Sequence, residues 1–193
     1  MHSKRLRVAG IAAFALAMTA LAVMGGGAVS AQDTGQAKYN VRVPNGLAFS
    51  EFKGYESWQT VSISQSEKFV ALIVANPVMI KAYQSGIPAN GKPFPEGSRM
   101  AKIHWSPKKL ETFPTATVPA TLHDVDFMVK DSKRFADSGG WGYAAFRYDG
   151  ASDTFTPFTE ADMPPQGNDA KCGFACHSIV RGRDYVFTEY GKR

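Results

Sequence analysis

The sequence predicts an α+β fold, built mainly on an antiparallel β-sheet of about five strands with two or three short helices. Its apolar segments are short and are separated by turns rich in Gly and Pro, as expected for a sheet. No segment keeps an amphipathic pattern of helical period for twenty residues, which excludes a four-helix bundle. The chain contains no internal repeat, and its length suits one domain.

The first predicted elements are a short helix and a hairpin. Residues 32–46 form a polar lead-in, and the apolar spacing that follows predicts a short helix over 47–53. Residues 58–64 alternate between apolar and polar side chains, and 69–75 are continuously apolar, so the two form an antiparallel hairpin. The alternation predicts two faces, with Trp58, Thr60 and Ser62 on one and Val61 and Ile63 on the other.

A second helix and the remaining strands follow. Asn76 as N-cap and Pro77 at the first helical position predict a helix that ends near Gly86. The rest of the chain is predicted as a loop at 87–98, strands at 99–105 and 122–130, one or two helical turns at 131–136, a strand at 141–148, an irregular stretch at 149–170 and a short final element at 184–190.

The N-terminus predicts export. Three basic residues precede a charge-free apolar stretch from Val8 to Met24, and small residues at Val29-Ser30-Ala31 form a cleavage site. We therefore predict a signal peptide over residues 1–31 and a single domain over 32–193. Removal of the signal leaves 19 basic and 17 acidic residues in a scattered arrangement, which gives no electrostatic case for nucleic acid. No second apolar run could span a membrane, so the mature protein is expected in the periplasm.

The only two cysteines stand in a Cys-x-x-x-Cys-His run: Cys172, Cys176 and His177. Two thiols beside an imidazole can tether a c-type haem and ligate its iron, although the usual signature has two intervening residues. The extra residue changes the separation of the thiols, and Gly173 could absorb this change in a loop. Outside the cytosol, nearby cysteines either oxidise or are captured by a cofactor, so the run points to a periplasmic c-type cytochrome.

The second axial ligand stays open at this stage. His104 and His123 are the other mature histidines, and either could bind the iron, but a surface or hydrogen-bonded role is the simpler interpretation. A methionine on a strand is usually core filler. The remaining alternative is a five-coordinate iron with an open face that binds small molecules. The methionines considered as ligands are Met79, Met100, Met128 and Met163.

Several segments, taken in order over residues 40–190, resemble the cytochrome P-460 and cytochrome c′-β family. These are Asn76-Pro77 with Ile80-Lys81-Ala82-Tyr83, Phe94-Pro95-Glu96-Gly97, Ala101-Lys102-Ile103-His104-Trp105, Asp126-Phe127-Met128-Val129-Lys130-Asp131, Gly139-Gly140-Trp141-Gly142, the Cys-His run, and Arg183-Asp184-Tyr185-Val186-Phe187-Thr188.

The resemblance implies a mostly antiparallel β fold, commonly a homodimer, with one c-type haem per chain. His177 would be the proximal iron ligand, and Cys172 and Cys176 the thioether anchors. The P-460 type carries a further bond from a lysine to the haem and oxidises hydroxylamine, passing electrons to an external acceptor. The c′-β type lacks this bond and binds gases such as nitric oxide. Lys102 matches the cross-linking lysine.

The residues alone give a more modest interpretation of Lys102. Strand alternation places Met100, Lys102 and His104 on the less apolar face, where a lysine most simply points to solvent. Lys130, Asp131 and Arg99 are charged residues near strand ends and are most simply solvated, so no catalytic base is named. A haem-free exported protein with a Cys172–Cys176 disulfide remains an alternative, and a zinc site is weaker still.

Overall fold

A single six-stranded antiparallel sheet forms the protein. The structure is a computed structural model that describes residues 37–43, 46–158 and 170–193. The strands follow one another in the sheet in chain order, each pairing with the next, so the predicted fold class is confirmed. Their bounds are β1 Gln59–Gln65, β2 Val70–Ala75, β3 Arg99–Leu110, β4 Phe113–Lys130, β5 Trp141–Asp149 and β6 Thr154–Pro157.

Within the described ranges, two α-helices accompany the sheet, α1 over Pro77–Gln84 and α2 over Ala170–His177. The first was predicted, and its cap is as expected, because the Asn76 side chain accepts a hydrogen bond from the Met79 backbone N–H at 3.1 Å. Gly86 follows the helix with a φ of +92°, which glycine adopts without strain. No helix in the described ranges is long and apolar enough to cross a membrane.

Strand β6 was not predicted, because 149–170 contains the Pro, Gly, Asp and Thr that usually mark irregular chain. It is a four-residue edge strand in which Phe155 pairs with Tyr148 and Pro157 with Phe146 of β5. A proline is tolerated there because an edge strand needs only one row of ladder bonds. The predicted signal peptide, Met163 and residues 159–169 lie outside the described residues.

The central hairpin is longer than predicted. The ladder between β3 and β4 continues to the pair Leu110 and Phe113, beyond the predicted ends at Trp105 and Leu122. These outer residues are largely exposed on both faces, so they lack the alternation that marks a half-buried strand. Pro107 pairs with Pro119 beside a register shift, where a missing donor does little harm.

The β1–β2 hairpin is confirmed, but its predicted faces are wrong in one respect. A register shift between Thr60 and Ser62 interrupts the alternation. Val61 is therefore buried while Ile63 is 69% exposed, although both were assigned to one face. A bulge of this kind inserts an unpaired residue and redirects the strand beyond it.

The shorter helical predictions were only approximate. The predicted helix over 47–53 is a pair of 3-10 turns, Phe49–Phe52 and Tyr55–Ser57, and the turns predicted at 131–136 are centred on Ala136–Ser138. The final element predicted at 184–190 is wrong, because regular structure ends earlier, in a 3-10 segment over Ser178–Arg183.

The core consists of two clusters on opposite faces of the sheet. Phe127 belongs to the first cluster and Met128 to the second, as expected for neighbouring residues of a strand. Aromatic rings dominate the first, where Phe52 stacks on Phe127 with ring centroids 4.1 Å apart. The second cluster includes Met100, Trp141 and Tyr143, and this face carries the candidate site.

Candidate functional site

Helix α2 carries all three residues of the Cys-His run. Cys172 and Cys176 stand four residues apart and are both exposed, so their side chains follow one another along one side of the helix. Side chains at this spacing have Cβ atoms about 5–6 Å apart, whereas a disulfide needs about 3.5–4.5 Å. Helical geometry therefore disfavours the disulfide alternative, and both thiols point outward one turn apart.

Gly173 lets α2 pack closely on β5. A Cβ atom at this position would lie 2.8 Å from Cβ of Tyr143, a separation that real atoms do not adopt. The sequence analysis placed Gly173 in a loop, but it lies in the helix. Its role is close approach rather than backbone freedom, and this contact fixes the height of the helix over the sheet.

We expect Gly173→Val to lower the free energy of unfolding by about 1–3 kcal/mol, because overpacking forces the helix or Tyr143 to shift. The measurement is thermal unfolding of the purified protein. Gly182→Val is the matched control, since nothing lies within 4 Å of a Cβ added at Gly182. Equal melting temperatures for the two variants would contradict the packing role of Gly173.

His177, at the end of α2, is fixed in one tautomer. Its Nδ1 lies 2.6 Å from the carbonyl oxygen of Tyr185. A carbonyl can only accept, so Nδ1 carries the proton and the lone pair is on Nε2. Burial lowers the pKa of His177. The hydrogen bond to Tyr185 raises this pKa and the nearby charge of Lys102 lowers it, and the net pKa lies below its usual value. The imidazole is neutral at neutral pH and suited to bind a metal through Nε2.

Two aromatic rings hold the His177 imidazole in place. Tyr143 packs on it with centroids 5.1 Å apart, and Phe187 meets it edge-on at 5.0 Å. The Tyr143 hydroxyl is buried and has no hydrogen-bond partner among the described residues. Burial raises the pKa of Tyr143 well above its usual value, so the phenol stays neutral.

A pocket of about 400 Å³ lies against His177. Its floor comes from the strands of the second core face, and its far wall from the segment after α2. Neither cysteine belongs to the lining, although both lie on the helix that ends at the pocket. The lining residues are Ser62, Ser64, Ile73, Met100, Lys102, Asp126, Met128, His177, Phe187, Thr188 and Glu189.

The structure thus brings Lys102 and His177 into one pocket, although 75 positions separate them in the chain. Lys102 is half-buried and forms no hydrogen bond or ion pair with the residues that the structure describes. It is therefore only partly exposed to solvent and lines the cavity, where the residues alone had suggested a solvent-facing lysine. Strand alternation was right to group it with Met100, which lines the same pocket.

Asp126 is the pocket residue that sequence reasoning missed as a functional group. It lies directly across from Lys102 in the β3–β4 ladder. The sequence predicted both strands but neither their pairing nor its register, so it did not place this carboxylate opposite Lys102.

Two of the methionines considered as axial ligands, Met100 and Met128, line the pocket. Met79 is fully buried in the second core cluster, and Met163 lies outside the described residues. His104 and His123 do not line the pocket. Their Nδ1 atoms both contact Asp124 instead, which matches the interpretation of these histidines as hydrogen-bonded.

The three charged residues near strand ends, Lys130, Asp131 and Arg99, line one cavity that is separate from the pocket beside His177. Lys130 was predicted to be solvated, but it is buried. Its Nζ lies 2.7 Å from Oδ1 of Asp184 and donates a hydrogen bond to the Gly139 carbonyl at 3.1 Å. Asp131 accepts backbone N–H bonds from the turn that follows it. None of the three belongs to the pocket beside His177.

The pocket fits the haem that the sequence led us to expect. His177 offers an unprotonated Nε2, the methionines, Ile73 and Phe187 offer apolar surface, and two thiols stand on the adjoining helix. The buried, unpartnered Tyr143 hydroxyl beside the imidazole is a polar atom of the kind that a bound group commonly satisfies.

One comparison with known proteins is informative. A model of the family described as Cytochrome P460 matches residues 52–188. The match includes every strand, both α-helices and the Cys-His run. No curated protein matches the chain at a significant level.

Proposed function

Because the chain belongs to the cytochrome P460 family, we propose that it is an exported c-type cytochrome that oxidises hydroxylamine at a single haem. The family makes it a haem-binding cytochrome. The covalent anchors, the ligand, the periplasmic location and the reaction are our proposals. In this proposal, Cys172 and Cys176 form the thioethers and His177 ligates the iron.

The observation that carries this proposal is the presence of Lys102 and His177 in one pocket. A haem held at His177 would occupy the space that Lys102 faces. A five-coordinate haem iron supplies a site for small-molecule binding and one-electron oxidation. Lys102 has no partner among the described residues, so bonding its amine to the haem edge would disrupt no existing ion pair.

The protein's own groups would orient the substrate and take its protons. Oxidation of hydroxylamine releases protons together with electrons, and the electrons pass to an external acceptor. The Asp126 carboxylate lies in the pocket across the ladder from Lys102 and is our candidate proton acceptor there. Met100 and Met128 would exclude water from the same space.

We expect Lys102→Met to remove a covalent link between the haem and β3. Tryptic digestion of the wild-type protein should give a haem-bearing fragment that joins the Cys172–His177 peptide to the peptide containing Lys102. The variant should give the first peptide with haem alone. Lys108→Met, on the exposed part of the same strand, is the control and should keep the joined fragment.

Release of an unmodified Lys102 peptide from the wild-type holoprotein would contradict the cross-link. That result would favour the second candidate function, binding of a gas such as nitric oxide without turnover. The apolar lining of Ile73, Met100 and Met128 is the observation that supports this alternative, because a diatomic gas needs no proton acceptor.

We expect Asp126→Asn to lower hydroxylamine-dependent turnover by about 10²-fold, the usual contribution of a positioned general base. The assay is reduction of an artificial electron acceptor by the holoprotein. Asp149→Asn, at the β5–β6 turn, is the control and should turn over at the wild-type rate. An Asp126→Asn variant with wild-type turnover would exclude this carboxylate as the acceptor.

The family resemblance also leads us to propose a homodimer. Exposed apolar side chains on the long hairpin and after α2 could contribute to such an interface, among them Phe113 and Ile179. Size-exclusion chromatography with light scattering of the holoprotein measures this directly, and a monomer at all accessible concentrations would contradict it.

A further inference from the structure

A cluster of two imidazoles and two carboxylates lies on β3 and β4, beyond the pocket. His104 and Asp124 are cross-strand partners in the ladder, and His123 and Asp126 flank Asp124 on β4. Nδ1 of His104 is 2.5 Å from Oδ1 of Asp124 and 3.7 Å from Oδ2 of Asp126. Donor atoms of His104, Asp124 and Asp126 all lie within 4.8 Å of one another.

The cluster is largely enclosed. The side chains of His104 and Asp124 are only 12% and 9% exposed, whereas Asp126 and His123 are about half exposed. The Phe69 ring packs on both imidazoles, with centroids 5.3 Å from His104 and 4.8 Å from His123. Its inner residues are thus held in place, and Asp126 provides an approach from solvent.

Asp124 is held as a carboxylate between the two imidazoles. His104 contacts one of its oxygens and His123 the other. The cluster thus offers a carboxylate fixed in orientation beside imidazole nitrogen.

We propose that His104, Asp124 and Asp126 bind a divalent transition-metal ion of the Zn²⁺ class, with His123 orienting Asp124. Zinc forms bonds of about 2.0–2.2 Å to imidazole nitrogen and carboxylate oxygen. An ion between these donors would displace the proton that His104 Nδ1 shares with Asp124, and the donors would need only small movements to surround it. Three protein donors leave a fourth position for water. Mixed nitrogen and oxygen donors favour Zn²⁺ or Cu²⁺ over Mg²⁺ and Ca²⁺.

His123 would act as an outer-sphere group, because its contact with Asp124 holds that carboxylate in place. A carboxylate ligand whose second oxygen is held by another side chain keeps its orientation, and loss of such support typically weakens metal binding about 10–100-fold. Because Asp126 also lines the pocket beside His177, an ion at this cluster would hold the carboxylate that we propose as the proton acceptor, so metal binding and that role compete for Asp126.

Isothermal titration calorimetry of the haem-loaded, untagged protein with ZnCl₂ tests the site. We expect one saturable site per chain, reversed by a chelator. His104→Gln and Asp126→Asn should each weaken binding at least tenfold, and His123→Gln by about 10–100-fold. Glu67→Gln removes an exposed charge two residues from Phe69 and is the matched control, which should bind as the wild type does.

Absence of saturable heat, or wild-type binding by both His104→Gln and Asp126→Asn, would overturn the proposal. If His104→Gln does not fold, the half-exposed Asp126 decides the question through its own variant. A Cys172→Ser/Cys176→Ser protein should keep the site, because neither sulfur is among its donors. Loss of binding in that protein would overturn the proposal, since the site would then depend on the Cys-His run or on the haem it holds.

Discussion

Changing Cys172 and Cys176 together to serine in a Lys102→Met background, which lacks the proposed lysine bond to the haem, is expected to leave the protein without covalently bound haem. Each thioether forms when a cysteine S–H adds across a haem vinyl group, which a serine hydroxyl does not do under maturation conditions. His177 alone would then hold the iron, and a denaturing gel would release the haem. The measurement is haem staining after denaturing electrophoresis, combined with intact mass.

The two single variants show whether the three-residue spacer permits both bonds. Side chains four apart on a helix lie on one side about one turn apart, so both thiols of α2 can face the same group. In the same Lys102→Met background, Cys172→Ser and Cys176→Ser should therefore each retain covalent haem through the other sulfur. If only one of them retained it, a single thioether would be present. Covalent haem in the Lys102→Met protein that lacks both cysteines would refute cysteine attachment.

Lys130→Met is expected to lower the free energy of unfolding by about 3–5 kcal/mol, because removing one partner of a buried ion pair leaves the other charge uncompensated. Asp184 would keep its bond from the Phe94 backbone N–H, 2.8 Å away, but lose its cation. The melting temperature should fall by about 6–20 °C at roughly 2–4 °C per kcal/mol. Thermal unfolding followed by circular dichroism measures this.

The ion pair also positions the segment that orients His177. Asp184 has a φ of +50°, and the next residue, Tyr185, provides the carbonyl that accepts from His177. The double variant Lys130→Met/Asp184→Asn removes both charges, and asparagine tolerates this backbone conformation, so the double variant should recover part of the lost stability.

The matched control is Glu189→Gln, which breaks the exposed pair with Arg183 and should lower the free energy of unfolding by at most about 1 kcal/mol. Equal losses in Lys130→Met and Glu189→Gln would contradict the buried role.

Local signals in the sequence predicted the parts of the fold that depend on neighbouring residues. Asn76 and Pro77 specify the start of α1 through a cap and a fixed φ, and both are adjacent in the chain. Strands with both faces largely buried, such as β2 and β5, were predictable from their continuous apolar composition. The outer half of the β3–β4 hairpin carries no such signal, because it is exposed on both faces and is held by its ladder rather than by burial.

The site was predictable in its ligands but not in its surroundings. Cys172, Cys176 and His177 are contiguous, so a motif reveals them. The pocket combines β1, β3, β4 and the C-terminal segment, which no local pattern connects. The buried pair of Lys130 and Asp184 was missed for the same reason: 54 positions separate the two residues, and a lysine at a strand end is usually solvated.

Intact mass and a pyridine haemochrome spectrum of the wild-type protein test the central proposal most directly. The protein should be made in a strain that can mature c-type cytochromes. We predict the mass of the polypeptide plus one haem, and a haemochrome spectrum of a haem with both vinyl groups saturated. A colourless, iron-free protein whose mass shows Cys172 and Cys176 oxidised to each other would contradict it.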